Sequence, residues 1–236
     1  MSVSLKDVKA HMQELSNPEI AEHSLRFFKT GPGEYGEGDV FLGIRVPVTR
    51  KVARKFRELP LGQVLKLVKS KYHEERLLAL FMLVALFKKG DEKAKKNIYD
   101  AYLGHTDTIN NWDLVDSSAH QIVGGYLLER DRKRLYQLAK SKSLWERRIS
   151  MIATYTFIKR DDFEDTLKLS AILLTDEEDL MHKAVGWMLR EVGKKDLEVE
   201  ERFLRKYYKK MPRTMLRYAI EKFEEGKRQA YLKGEI

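Results

Sequence analysis

The chain contains no cysteine. Disulfides, thiolate metal sites and cysteine nucleophiles are thereby excluded. Proline is scarce, five in 236 residues, so little interrupts helix formation. Long apolar runs are also lacking. The longest, Leu77 to Phe87, is too short to span a membrane and fits a buried core helix. The opening residues, Met1-Ser-Val-Ser-Leu-Lys-Asp, have no apolar stretch, so no secretory signal is expected and a cytoplasmic protein is. The six histidines (His11, His23, His73, His105, His120, His182) show neither His-Glu-x-x-His nor another metal spacing. The acids are abundant but unclustered, which argues against a two-metal nuclease. No Gly-x-Ser-x-Gly occurs, and Gly33-Glu-Tyr-Gly36-Glu-Gly38 lacks the Lys-Ser/Thr and the strand-to-helix context of a phosphate loop. No metal and no cofactor are expected.

What is present is charge and helical patterning. Hydrophobic residues make up 43% and charged residues 34%, the balance of a globular chain with a charged surface. The net charge is +9 and the isoelectric point near 9.4. Between Phe41 and Tyr72 there are nine Lys/Arg and one acid, Glu58; from Glu201 to Ile236 there are eleven against five. Such basic regions suit a polyanion, most simply nucleic acid. A solvated, lysine-rich surface is the alternative, and charge alone does not separate the two.

Val8, His11, Met12 and Leu15 recur at helical spacing and predict an amphipathic helix over 3–15. Ser16-Asn17-Pro18-Glu19 is a helix start, and a second helix runs to about Lys29. Thr30 to Asp39 holds four glycines and a proline, so it predicts a loop, the best candidate for a flexible or ligand-touching segment. Pro47 opens the next helix. Beyond residue 60 the pattern repeats. Arg76, Arg148 and Lys183 each stand near the head of an apolar helix, 72 and 35 residues apart. The period is about 36 residues, one antiparallel helix pair per repeat. The expected fold is all-α, a right-handed α-solenoid in one domain, with N-terminal helices and loop over 1–46 and repeats over 47–236. Basic residues recurring at helix starts would then line a concave groove, unless they are ordinary solvent-facing charges.

One groove would hold Trp112, Asp113, Asp116, Trp145, Arg148, Trp187 and Arg190. Trp112 and Asp116 stand four apart, so a helix puts them on one face. Tryptophan and arginine stack on sugars and bases and grip phosphates, although Trp145 at its helical spacing reads more simply as core. Gly186, before Trp187, lets something approach closely. A carboxylate beside a sugar can stabilise the oxocarbenium-like cation formed when a glycosidic bond breaks. A base already positively charged by alkylation leaves as a neutral group and needs no general acid. Asp116 is the candidate for that work; a surface salt bridge or cap is its alternative. Asp113 reads as a supporting or capping residue.

The chain resembles the AlkD-type DNA alkylation repair glycosylases, built from HEAT-like repeats. The resemblance is carried by Phe41-Leu-Gly-Ile-Arg-Val-Pro47, Trp112-Asp-Leu-Val-Asp116, Trp145-Glu-Arg-Arg148, Lys183-Ala-Val-Gly-Trp-Met-Leu-Arg-Glu191 and Arg217-Tyr-Ala-Ile220. It implies excision of positively charged N3- or N7-alkylated purines from duplex DNA, without drawing the base into a tight pocket. It also implies catalytic roles for Trp112, Asp116 and Trp187, a groove arginine at Arg148, and an N-terminal aromatic at Phe27 or Phe28; the basic groove read from the repeats adds Lys183 and Arg190 as DNA contacts. Phenylalanine stands there where a relative has tyrosine, and the glycine-rich segment 31–39 is an insertion. The protein is expected to be a monomer whose partner is duplex DNA with alkylated bases, nucleoid-associated and away from membranes. The alternatives are a non-catalytic paralogue that binds distorted or branched DNA, and a protein-interaction scaffold.

Overall fold

The computed structural model describes residues 3–236. Among them the backbone is helical with connecting turns, and the sole strand-like feature is a parallel bridge between Val40 and Tyr72. The fold is therefore all-α, as the missing helix breakers imply. No helix of the described residues is long and apolar enough to cross a membrane. The chain forms two compact units, Met1–Ser118 and Ala119–Ile236, each with its own buried apolar core.

In the first unit, α1 (Leu5–Glu14) starts with a reciprocal cap. The Asp7 amide donates to Ser4 Oγ (3.3 Å) and the Ser4 amide donates to Asp7 Oδ2 (3.0 Å). Val8 and Met12 are buried on its inner face, while His11 and Leu15 are half-buried. In α2 (Pro18–Phe27), Pro18 needs no hydrogen-bond partner in the first turn, and Asn17 Oδ1 accepts from the Ile20 amide (3.0 Å). No residue of α2 is buried. Residues 31–38 make turns. There follow α3 (Val46–Lys55), with Pro47 in its first turn, α4 (Leu61–Val68), α5 (His73–Lys89), α6 (Glu92–Leu103) and the short α7 (Trp112–Asp116).

The apolar run Leu77–Val84 is buried in α5. Each such side chain contributes about 1.5–3 kcal/mol, so α5 is the unit's spine. Its first residues are buried as well, though charged: His73, Glu74, Glu75 and Arg76. Glu74 shows why this is tolerated. Its carboxylate accepts the backbone N–H groups of Leu42 (2.9 Å), Gly43 (2.8 Å) and Ile44 (3.1 Å), replacing the water that burial removes. Gly43 adopts φ +80°, and a Cβ there would lie 2.0 Å from the Asn17 carbonyl oxygen; only glycine fits. The carboxylate thus clamps the segment joining α2 to α3 onto the head of α5.

The second unit begins with a π-helical turn, His120–Gly124, which runs into α8 (Gly125–Leu127). Then come α9 (Lys133–Leu138), α10 (Leu144–Ala153), α11 (Tyr155–Ile158), α12 (Glu164–Ile172), α13 (Asp179–Gly193), α14 (Leu197–Tyr207), α15 (Arg213–Ala219) and α16 (Glu225–Lys233). Side chains of Ser143 and Asp196 cap α10 and α14. A Cβ on Gly186 would fall 2.4 Å from the Met215 carbonyl oxygen. The close approach expected at Gly186 is thus made by α15 packing against α13.

Of the three helix-opening cations expected to form an exposed ladder, Lys183 is partly exposed and the other two are not. Arg76 is buried and bound to Asp39, and Arg148 is buried and donates to the Leu180 carbonyl. α5 is buried from its first residue, and Arg148 falls on the buried side of the amphipathic α10, so each cation must find internal partners.

Candidate functional site

In the first unit an aromatic cluster forms around Trp112, the first residue of α7. Phe28 stacks on its indole at 5.5 Å between centroids, and Phe27 meets it edge-on at 6.0 Å. Phe27 is 56% exposed. Both N-terminal aromatics singled out from the sequence therefore reach Trp112. Behind Phe28 lie Phe41 at 5.1 Å and the His73 imidazole at 4.8 Å. These groups line a cavity of about 840 Å³ walled by α2, the 41–47 segment, the head of α5 and α7.

Below the aromatics is a buried ionic bridge. His73 donates from Nδ1 to Asp39 Oδ2 (3.0 Å) and from Nε2 to Asp113 Oδ2 (2.8 Å). Bonding at both nitrogens to carboxylates is the pattern of an imidazolium. Burial alone would push the imidazole down. The charge and hydrogen bond of Asp113, then those of Asp39, outweigh burial and raise it to about 9. Burial likewise disfavours the Asp39 carboxylate, but the His73 hydrogen bond and the Arg76 charge hold it below the usual range. Arg76 also donates to Asn110 Oδ1 (3.2 Å), and Asn111 Nδ2 donates to Asp39 Oδ2 (3.3 Å).

Asp113 Oδ1 accepts the Leu114 amide (2.9 Å) while its other oxygen takes His73, so this carboxylate joins α7 to α5. Asp116 closes α7, four residues after Trp112, and is half-buried. Burial pushes the nearby Tyr102 phenol up; its bond with Ser118 (2.9 Å) opposes this, and the Asp116 charge adds to the rise.

In the second unit Trp187 is half-buried on α13. Its indole N–H donates to Glu191 Oε1 (3.0 Å), one turn on, and Lys194 Nζ donates to the same oxygen (2.6 Å). The Tyr155 ring lies 6.0 Å from Trp187, and His120 meets Tyr155 edge-on at 5.4 Å. Lys159 Nζ stands 4.1 Å from the Tyr155 ring centroid. Lys183 pairs with Asp179 (2.8 Å), and Arg190 pairs with Glu221. Arg190 Nε also stands 3.8 Å from the Glu191 oxygen that takes the Trp187 N–H, and Trp145 is half-buried at the head of α10.

Sequence reading missed His73 and Asp39, because their partners lie 34 and 40 residues away. It also missed Tyr155 and His120. One signal was available: four consecutive ionisable residues, His73 to Arg76, open the helix with the longest apolar run. Among the described residues no group of three His, Asp or Glu side chains is placed to hold a metal ion.

No curated protein matches the chain in sequence. Three chains of solved structure match it in fold. One is a predicted DNA alkylation repair enzyme from Enterococcus faecalis, 17% identical, with a TM-score of 0.69 over 89% of this chain and 97% of that one; at that identity the likeness establishes a common fold. The family model described as DNA alkylation repair enzyme matches residues 8–223. That span runs from within α1 past α15 and takes in Trp112, Asp116, Arg148 and Trp187. The chain belongs to the DNA alkylation repair enzyme family.

Proposed function

We propose that the protein is a DNA glycosylase that hydrolyses the N-glycosidic bond of positively charged N3- and N7-alkylated purines in duplex DNA, without conventional base flipping. The observation that carries this reading is Trp112 and Asp116 on one short helix, with Phe27 and Phe28 against the indole, in a chain of this family. Asp116 stabilises the developing sugar cation and orients the attacking water. Trp112 and Trp187 wall the sugar. Arg148, Lys183 and Arg190 hold the DNA backbone, and Phe27 and Phe28 stand near the lesion. The same reading takes residues 1–236 as one domain of HEAT-like repeats.

Release of 7-methylguanine from methylated duplex tests it. Wild type is expected to release the base, and Asp116→Asn to lower the rate by roughly a hundredfold or more. No release by wild type sinks the glycosylase reading. Release untouched by Asp116→Asn sinks the role given to Asp116. Binding should also weaken steeply with salt.

A further inference from the structure

We propose that His73 is a positioning residue for α7: bonded to Asp39 and Asp113 at once, it fixes the orientation in which that helix presents Trp112 and Asp116. What Trp112 and Asp116 do rests on the glycosylase reading above; how they are held does not.

α7 has five residues, far fewer than a helix needs to persist unaided. Its orientation must come from outside. Two anchors reach it, and both lead to Asp39. The fully buried Asn111, which caps α7, donates to Asp39. Asp113, in its first turn, accepts from His73, whose other nitrogen donates to Asp39. Since the second Asp113 oxygen takes the Leu114 amide, the carboxylate serves as a joint. His73 also supports the aromatic layer. Phe28 rests on its ring at 4.8 Å and on Trp112 at 5.5 Å. One imidazole therefore contacts the acid that anchors Trp112's helix and the ring that stacks on the indole.

The bridge also explains the glycine-rich segment, which ends at Asp39 and delivers that carboxylate beneath α7. It requires both imidazole protons. A neutral imidazole has one donor and one acceptor, so one of the two carboxylates would face a lone pair and withdraw. The charged groups around His73 are Asp39 from the loop, Asp113 from α7, and Glu74 and Arg76 on its own helix; Phe28 and Phe41 bring none, while Glu19, His23 and Arg45 line the same cavity. The expected consequence is that α7 shifts when His73 loses its proton.

The test uses the full chain labelled with 5-fluorotryptophan, its Trp112 fluorine resonance assigned by Trp112→Phe. The resonance is followed from about pH 6 to about pH 10. Single-turnover release of 7-methylguanine and duplex Kd are measured alongside, with uncatalysed loss subtracted. The Trp112 resonance should move in one step close to pH 9, the value at which burial and the two carboxylates place His73. His73→Gln should abolish that step and slow release on the order of tenfold to a hundredfold, with duplex Kd changed by less than about threefold, because the loss lies in geometry at the sugar and not in phosphate contacts. A resonance that does not titrate in wild type, or release by His73→Gln equal to wild type, overturns the proposal. Should His73→Gln fail to fold, Asp113→Asn removes one charge from the bridge and should move the step to lower pH; an unmoved midpoint overturns it too. A titrating resonance in a wild type that releases no base supports the bridge and sinks the glycosylase reading instead.

Discussion

In the first unit Trp112 stands at the head of a five-residue helix, and beyond the Asn111 cap and Asp113 what orients it comes from elsewhere: Phe27 and Phe28 from α2 and its C-terminal cap, Asp39 from a loop, His73 from α5. In the second unit Trp187 stands in the middle of a fifteen-residue helix and is oriented largely by that helix, through Glu191 one turn on and through Gly186, which lets α15 close against α13. Two tryptophans proposed for one sugar are thus held by different physics. Trp112 depends on buried charges that must pair across the fold, where the loss of one partner strands the other. Trp187 depends on local hydrogen bonding and close packing, which fail by small increments.

The sharpest way to break this contrast is at Glu74. Glu74→Ala leaves three buried backbone N–H groups without an acceptor at the clamp between the 41–44 segment and α5. The expected cost is about 3–5 kcal/mol, read as a fall in the urea midpoint, together with loss of the Phe28–Trp112 stacking. A cost below about 1 kcal/mol would mean that the clamp is dispensable and that the first unit is held by apolar packing alone.

The same contrast decides what could be seen in the sequence. The Asn17 cap with Pro18, the start at Pro47 and the buried run of α5 were legible because each is written in a few neighbouring residues. Glu191 lies one turn from Trp187, inside the motif that drew attention to the tryptophan. The Asp39–His73–Asp113 bridge joins residues 34 and 40 apart, and no local rule pairs them. Arg76 and Arg148 show a second limit. Recurrence placed each near a helix start but said nothing of which direction the side chain takes. Both turned inward, Arg76 because α5 is buried from its first residue and Arg148 because it lies on the buried side of the amphipathic α10.

Titration separates the units in a second way. His73 is raised from 6.5 to about 9 in the folded protein. A group raised on folding contributes stability that is complete below its unfolded value and is lost as pH climbs through the folded one. Its window is therefore about pH 6.5 to 9, with a loss on the order of 3 kcal/mol. Glu200 in the second unit is almost fully buried, and one carboxyl oxygen has no hydrogen-bond partner. Burial pushes it up from 4.5 to about 9, Glu201's charge adds to the rise and Arg190's opposes it. The sign is the same but the window opens lower, so between about pH 4.5 and 6.5 Glu200 titrates while His73 stays charged in both states. Urea unfolding across pH should thus weaken in that lower range through the second unit. Glu200→Gln should flatten the slope there and raise stability at neutral pH. His73→Gln should leave the lower slope intact and remove only the extra steepness above about pH 6.5, because Glu200 goes on contributing up to about pH 9. If His73→Gln flattens the lower range, the assignment of windows to units is wrong.

The smallest expected effect lies at Glu191. Glu191→Gln keeps an oxygen that can accept the Trp187 N–H and gives up the charge that pairs with the partly exposed Lys194 and, at 3.8 Å, with Arg190 Nε, which keeps Glu221. The cost should be below about 1 kcal/mol, with Trp187 emission unchanged in a protein whose other tryptophans are phenylalanine. Glu191→Leu removes the acceptor, so the indole N–H must turn to water and the emission should move to longer wavelength. A shift of equal size in both variants would mean that the Glu191 charge, and not its hydrogen bond, orients Trp187. The second unit would then share the electrostatic dependence that sets the first apart.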